Sequence, residues 1–381
     1  MSRGYFVWCP AQSQEKYMRI NLHTSASIPV LLLLCGSLGA CSGGGGIGSD
    51  GRVASSGSAP STTQRSQSSG VVQGRSNREL KSVAVEILLG LSTDANPEIR
   101  ANALEALQGH TESLESVAAL GLTDRNEGVR SVAAMVAGKQ KLKALTPMLE
   151  VMTNESSPFV RASSLFAISK LKGSRDVVDV TPLSVMLLES EDIRVSSHAA
   201  FVLGELGNNS AVPLLKQAGQ RAWGQTAPIQ RQLFRLQIAE ALIKLGQMES
   251  MDSVRSALYP SRPEELEATA LAVQIIGEVK DRGAIDQLIY LVDEDTSRPM
   301  PAEVRLGVAG ALGKLGLREG GFIADEYAQN ESSVIRAQAA VVYGRTGRLE
   351  HLPKLEAMLL DESAQVRAGS AGAILEILGS R

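Results

Sequence analysis

The sequence predicts an all-α protein built as a solenoid of about nine helix pairs, and three observations carry that prediction. First, the stretch Val304–Gly316, VRLGVAGALGKLG, recurs imperfectly but in register from residue 79 onward. Second, most copies are spaced by ~30–40 residues, the period of stacked helix pairs rather than of separate domains. Third, aromatic residues make up only 4% of the 381, while Ala, Leu, Val and Gly are plentiful. That composition suits thin layers of closely packed helices better than one large globular core.

Aligned on the Arg of the motif, the copies read Ile99-Arg100, Val129-Arg130, Val160-Arg161, Val195-Ser196, Phe234-Arg235, Val304-Arg305, Ile335-Arg336 and Val366-Arg367. A degenerate copy lies at Ala268-Thr269. The third and fourth residues after the Arg are small in the best copies, as in Ala133-Ala134, Ala199-Ala200 and Ala339-Ala340, which lets neighbouring helices approach closely. The seventh is mostly apolar (Leu107, Ile168, Leu203, Leu242, Leu312, Ile374), so both sets fall on one buried helical face. A Gly-x-x-Gly element follows, as in Gly204/Gly207 and Gly313/Gly316, with its second Gly placed to end the helix in the left-handed conformation. A second amphipathic stretch comes next; Pro213 and Pro353 are tolerated because they fall in its first turn.

A cation in the first turn of a helix opposes the macrodipole, so the recurring Arg needs a partner. Six residues before it stand Asp94, Asp124, Glu155, Asn330 or Asp361 in five copies. We read these as a structural ladder. Arg100, Arg130, Arg161, Arg235, Arg305, Arg336 and Arg367 are expected to link to such groups in their own or an adjacent repeat. The other reading is a basic stripe for anionic ligands. The copy at Val195 lacks Arg in register, with Arg194 two residues early, and the copy near Ala268 lacks it altogether.

This pattern resembles the HEAT repeat, specifically the bacterial HEAT-like type also found in the lyases that attach bilins to phycobiliproteins. The resemblance covers about residues 79–379. It implies a right-handed α-solenoid, most often a protein-binding surface. The array opens with a lone second-type helix over about Glu79–Leu91 and closes with a lone first-type helix over Ala364–Leu378. Nine layers predict an open arc roughly 70–90 Å long. The last helix looks poorly capped, which leaves two readings: pairing with a partner or another copy, or packing on the previous repeat with only small residues beyond.

The N-terminus reads as an address and a tether. Ile28–Ala40 is too short to span a bilayer, which takes ~20 residues, and suits the apolar region of a secretory signal. It ends in Leu38-Gly39-Ala40-Cys41, which resembles the lipobox of bacterial lipoproteins. That resemblance implies cleavage after residue 40 and lipidation of Cys41, with at least two acyl chains needed for stable attachment. Ser42 after the Cys permits the outer membrane. Residues 41–78 are Gly-, Ser-, Gln- and Thr-rich and cannot bury enough apolar surface to fold. They predict a tether with a reach of roughly 30–35 Å. The solenoid then occupies residues 79–381.

Composition excludes several classes. The net charge of −3 gives no basic stripe for nucleic acid. Cys9, Cys35 and Cys41 all precede the body, so none can staple it. His110, His198 and His351 sit in different repeats without ligand spacing, so neither a metal nor another cofactor is expected, and these three are expected at the surface or at helix ends. There is no nucleophile elbow, phosphate loop or His-Glu-x-x-His helix, so no catalytic residue is assigned.

The irregularity is a run of three long connections, Gly219–Arg231, Tyr259–Glu265 and Asp295–Glu303. Each joins a second helix to the next first helix, so all three are expected along one edge. They carry residue types enriched in protein interfaces, Arg221, Trp223, Tyr259, Arg262, Arg298 and Met300, which we take as the candidate partner-binding set. Drift in tolerant loops is the competing reading. The expected protein is a non-enzymatic, lipid-anchored scaffold of the bacterial cell envelope, on the outer membrane facing the periplasm, bound to another protein. A bilin-lyase-like enzyme in the cytoplasm is the alternative from another class.

Residues 1–17 carry Tyr5, Phe6, Trp8, Pro10 and Glu15 and little positive charge, unlike a signal start, whereas Met18-Arg19 begins a normal one. Translation is therefore expected to start at Met18. Mass spectrometry of the unprocessed precursor should find no peptide spanning Tyr5–Glu15, and finding one overturns this start site.

Overall fold

The computed structural model describes residues 75–172, 178–293 and 300–379. The signal, the Met18 start, Cys41 and the tether up to residue 74 lie outside the described residues. Among those described there are eighteen α-helices and no strand. In chain order they begin α1 (Asn77–Leu91), α2 (Pro97–Ala106), α3 (Thr111–Leu122), α4 (Glu127–Lys139), α5 (Thr146–Met152) and α6 (Pro158–Lys172). Next come α7 (Thr181–Glu189), α8 (Ile193–Leu206), α9 (Val212–Gly219), α10 (Pro228–Lys244), α11 (Met251–Ser256) and α12 (Leu266–Val279). The chain ends with α13 (Ile285–Val292), α14 (Ala302–Lys314), α15 (Gly321–Tyr327), α16 (Ser333–Thr346), α17 (Leu352–Met358) and α18 (Ala364–Gly379).

The fold is an α-solenoid of nine helix pairs. Each even-numbered helix carries one copy of the motif. The even helices pack one on the next through the whole series, and each odd helix lies against its even neighbours. Several odd helices are only six to nine residues long, α11 being six and α7 nine. Isolated helices need ~12–15 residues to persist, so these exist because an apolar stripe is buried against the even layer. Leu149 of α5, Leu183 of α7, Leu215 of α9 and Leu355 of α17 are all fully buried.

The sequence also fixes where helices start and stop. Asn96, Asn126 and Asp192 cap α2, α4 and α8 by accepting the amide N–H two residues on. Eleven residues after the motif Arg position, the chain turns left-handed at Gly207, Gly246, Gly316 and Gly347. The same register holds Lys141 and Lys280 at φ of 54° and 57°, where a side chain is strained.

The chain ends change the architecture. α18 packs against both α1 and α2, and its contact with α2 continues the even-helix series. The lone second-type helix at the start and the lone first-type helix at the end therefore make the ninth pair together. The solenoid closes into a ring, instead of the open arc expected from the repeat number. The reason is cumulative: the small rotation between repeats adds up over nine layers to a full turn. Nine even helices at ~9 Å spacing give a circumference of roughly 80 Å. The even helices form the inner wall, since Lys139 of α4 reaches Glu205 of α8 at 3.5 Å past the intervening α6. Arg75, just before α1, pairs with Glu356 of α17 at 2.7 Å and fastens the joint on the outside.

The small residues of α18, which looked like a missing cap, face a helix on either side. A Cβ on Gly369 would stand 3.1 Å from the Ala337 carbonyl oxygen of α16, and one on Gly372 would stand 3.0 Å from Ala106 Cβ of α2. The larger of two apolar cores runs across the joint, from α1 through α10 and from α14 through α18. A smaller, separate core fills the sector from α10 to α14.

Gly372→Leu should therefore force α18 off α2 and lower stability by roughly 1–3 kcal/mol. Gly90→Ala, in α1 with nothing within 4 Å of the added carbon, should raise it by about 0.5–1 kcal/mol. Urea denaturation of the two variants checks the pair, and equal effects would contradict the closed joint.

Candidate functional site

The regular part of one rim is built from the arginine ladder. Arg100 donates through Nε and Nη2 to the Asp124 carboxylate at 2.7 Å each, and through Nη1 to the carbonyls of Asp94 at 2.8 Å and Ala95 at 3.1 Å. Arg130 repeats this with the Glu155 carboxylate and the Asp124 carbonyl. Arg336 does so with the Asp361 carboxylate at 2.8 and 2.9 Å and the carbonyls of Asn330 and Glu331. Arg161 and Arg367 bind the carbonyls five and six residues upstream. Arg305 pairs instead with Glu326 at 2.8 Å and Tyr327 Oη at 2.7 Å.

Asp124 and Asp361 thus have three duties each. Asp124 receives Arg100, lends its carbonyl to Arg130, and accepts the Asn126 N–H at 2.8 Å. Asp361 does the same for Arg336, Arg367 and Ser363. The Arg336 pair holds the Asp361 carboxyl below its ordinary range; burial pushes the Asp124 carboxyl up, but the Arg100 pair outweighs it. Asp94 accepts the Asn96 N–H at 2.8 Å and supplies a carbonyl to Arg100.

Arg235 departs from the expected ladder. α10 starts a full turn earlier than its neighbours relative to the motif, so Arg231 occupies the first turn. Arg231 Nη1 takes the carbonyls, Thr226 at 2.5 Å and Gly224 at 3.4 Å. Arg235 is left exposed, with no hydrogen bond or ion pair among the described residues. Further on, the motif position in α12 is Thr269; Arg255 of the outer helix α11 binds Asp281 in the α12–α13 turn through two 2.7 Å bonds, outside the ladder. Arg194 folds back on Asp192.

The three long connections leave the ends of α9, α11 and α13 on this same rim. Tyr259 is 52% exposed, and the exposed Arg262 is tied to Glu265 at 2.9 Å. Arg262 keeps the Glu265 carboxyl below its usual range. Trp223 is placed differently from an open anchor. It is half-buried, meets Phe234 edge-on at 5.1 Å, and lies under the Arg221 guanidinium at 4.2 Å. Trp223 Nε1 and Arg221 Nη1 are buried without an acceptor. Met300 packs on the smaller core, and Arg298 lies outside the described residues. Beside these connections a groove of about 440 Å³ opens between α9 and α11, floored by Leu236, Ala239 and Leu242 of α10.

The opposite end of the inner wall carries a charge cluster that the sequence reading missed. Lys244 of α10 binds Glu240 and Glu205 at 2.6 Å each. Lys314 of α14 pairs with Glu278 of α12, and Arg345 of α16 with Glu376 of α18 at 2.6 Å. These cations and Glu205, Glu278 and Glu376 hold one register, nine residues after the motif Arg position. A tabulation of that position would have found them. Glu105 of α2, one turn short of it, faces Lys139 and Arg345 but neither carboxylate oxygen has a hydrogen-bond partner. Burial drives its carboxyl up to about 8, with Lys139 and Arg345 pulling only weakly the other way.

Of the histidines, His110 and His351 sit at the starts of α3 and α17, at helix ends as expected, and His198 does not. His198 is 1% exposed, between Phe159 and Phe201, with Nε2 at 3.1 Å from Ser163 Oγ. Ser163 in turn meets Ser131 at 2.7 Å, which makes a polar seam joining α4, α6 and α8. Burial lowers the His198 imidazole to about 4, so it packs neutral. His351 is 4% exposed against Tyr343 at 4.8 Å. His198 falls in the core because it lies on an inner helix covered on almost every side, whereas His351, at the start of the outer helix α17, is buried against Tyr343 of α16. No group of three or more His, Cys, Asp or Glu that could hold a metal occurs among the described residues. None of their helices is long and apolar enough to cross a membrane.

The fold is an all-α solenoid of helix pairs, part of which matches a known repeat family. Residues 85–169, from within α1 to within α6, match the family of HEAT repeats. Among solved structures it is similar to an engineered protein, at 17% identity over 79% of this chain and 94% of that one, with a TM-score of 0.32. It is similar to human deoxyhypusine hydroxylase in complex with glycerol, at 16% identity over 80% and 97%, TM-score 0.33. The complex of CpcE and CpcF of phycocyanin lyase from Nostoc sp. PCC7120 gives 16% identity over 67% and 91%, TM-score 0.31. No curated protein sequence matches it.

Glu105 supplies a pH test of the inner wall. Its folded-state value of about 8 exceeds the ordinary 4.5. Below pH 4.5 the group costs nothing, and stability is lost as pH rises towards 8, because the unfolded chain ionises first. Glu105→Gln should therefore stabilise the ring by about 3 kcal/mol at pH 7 and hardly at all at pH 4. Denaturant midpoints at the two pH values check this, and a pH-independent gain would exclude it.

Proposed function

We propose that the protein is a lipid-anchored scaffold of the bacterial cell envelope that binds another protein and performs no chemistry. HEAT repeats generally mediate protein–protein interaction, and the observation that carries the reading here is the confinement of irregularity to one sector. Arg100, Arg130, Arg305 and Arg336 each pair with a carboxylate further along the chain and Arg161 and Arg367 with backbone carbonyls, whereas α10 is lengthened and its motif arginine is unpaired. The same stretch, α10 to α14, has its own core, the long connections, exposed Tyr259 and Arg262, and the groove beside them. A ring has no free ends to offer, so a partner must dock on a rim, the outer wall or a groove.

Cys41, lipidated at the membrane, and the tether up to residue 74 would hold this ring within roughly 30–35 Å of the bilayer, on the outer membrane facing the periplasm. The tether joins the ring at the α1–α18 joint, and α10 is about half-way around the nine-helix circle from it. The binding sector therefore points away from the attachment point and stays accessible.

Two measurements test the reading together. Cys41→Ala should move the protein from the membrane to the soluble fraction of the envelope; a cytoplasmic protein would overturn the localisation and revive an enzyme of the bilin-lyase type. A photo-crosslinker at Tyr259 or Arg262 in intact cells should give one discrete protein adduct, while the same group at Glu112, exposed on the outer helix α3, should not. Equal adducts at both places would contradict a dedicated sector.

A further inference from the structure

Grooves recur between successive outer helices where they splay over an inner one, and a ladder arginine lines several of them. Over α2 it is Arg100, and over α16 it is Arg336. In both, the guanidinium is neutralised within the chain by a bidentate carboxylate from the next repeat, Asp124 or Asp361. The groove over α10, between α9 and α11, has the same construction with Arg235 on its wall. There the next repeat supplies no carboxylate. Six residues before Thr269, where the ladder acid would stand, is Pro263. Glu265, which lines the same groove, is held by Arg262 at 2.9 Å and by the Ser261 N–H at 2.8 Å rather than by Arg235. Arg231 has also taken the carbonyls that a ladder arginine would bind. Arg235 is thus a guanidinium in a carboxylate-binding register with no carboxylate in its own chain.

From this we infer that the α9–α11 groove binds an acidic, extended segment of a partner protein, whose Asp or Glu pairs with Arg235 as Asp124 pairs with Arg100. The rest of the groove fits that ligand. Leu236 and Ala239 give an apolar floor for one neighbouring side chain, Tyr259 forms an exposed aromatic wall, and Gln232 and Ser253 offer hydrogen bonds to an extended backbone. The volume of about 440 Å³ admits a few side chains, not a helix. A planar guanidinium selects a carboxylate through two parallel N–H···O bonds, which gives orientation as well as charge.

This inference rests on the scaffold reading above, and the experiment separates the two. A random-peptide display library is selected on the full-length protein in detergent. Selected peptides should be enriched in Asp and Glu, and their binding should weaken as salt rises. Arg235→Gln should weaken binding about tenfold or more, and Arg235→Glu should abolish it. Arg235 is exposed and unpaired, so both variants should keep the melting temperature of the parent. Arg78→Gln, exposed on α1 across the ring, should leave binding unchanged. Selection without acidic enrichment, no selected peptide at all, or acidic peptides that still bind Arg235→Glu would each overturn the inference. If the Tyr259 crosslink to a cellular protein persists in Arg235→Glu, the scaffold reading stands and this groove is not its contact.

Discussion

The joint between the chain ends is the constraint on which the rest of the molecule depends. α18 must lie against α16 on one side and α2 on the other, and both approaches are close enough that a Cβ at position 369 or 372 would make the neighbouring helix give way. In an open solenoid the terminal helices must be made polar on their outer faces. Here the first helix lacks its partner and the last helix lacks its partner, and each is the other's. Closure removes two exposed apolar ends at once, and the continuous core across the joint follows from it. It also turns one helix layer inward, which explains why residues as different as Glu105, His198 and Tyr343 are all buried.

A closed ring demands that every repeat contribute nearly the same rotation. The ladder supplies that register on one rim. Arg100, Arg130 and Arg336 each tie their own preceding turn to the next one, through carbonyls on one side and a carboxylate on the other. The pairs are charge-assisted and bidentate, so they fix angle as well as distance. On the other rim, the inward ion pairs of Lys244, Lys314 and Arg345 hold neighbouring inner helices together. With both rims occupied by structural charges, an unpaired cation such as Arg235 stands out against its surroundings. The long connections and the smaller core lie in the same sector.

Much of this was legible in the residues. The period, the glycine stops and the alternation of helix types can be read from spacing alone, because each depends on contacts within one repeat or between two adjacent ones. The left-handed turn at Lys141 and Lys280 was hidden, since neither residue advertises it. Arg231 was hidden for a related reason: the motif aligned Arg235 correctly with the end of α10 but could not reveal an extra turn at its start. Trp223 looked like an open anchor in a long connection, yet Phe234, in the second turn of α10, gives it an apolar face to pack on.

The sequence by itself determined the building unit: a helix pair, its small contact residues, its stopping point and the arginine that links it to the next. These are local properties, set by backbone conformation and by spacing within some thirty residues. Only the tertiary structure decided that nine units make a circle, that α18 seats between α1 and α2, and which charges meet inside it. Those outcomes depend on the sum of small inter-repeat rotations, and a sum over the whole chain is not written at any one position in it.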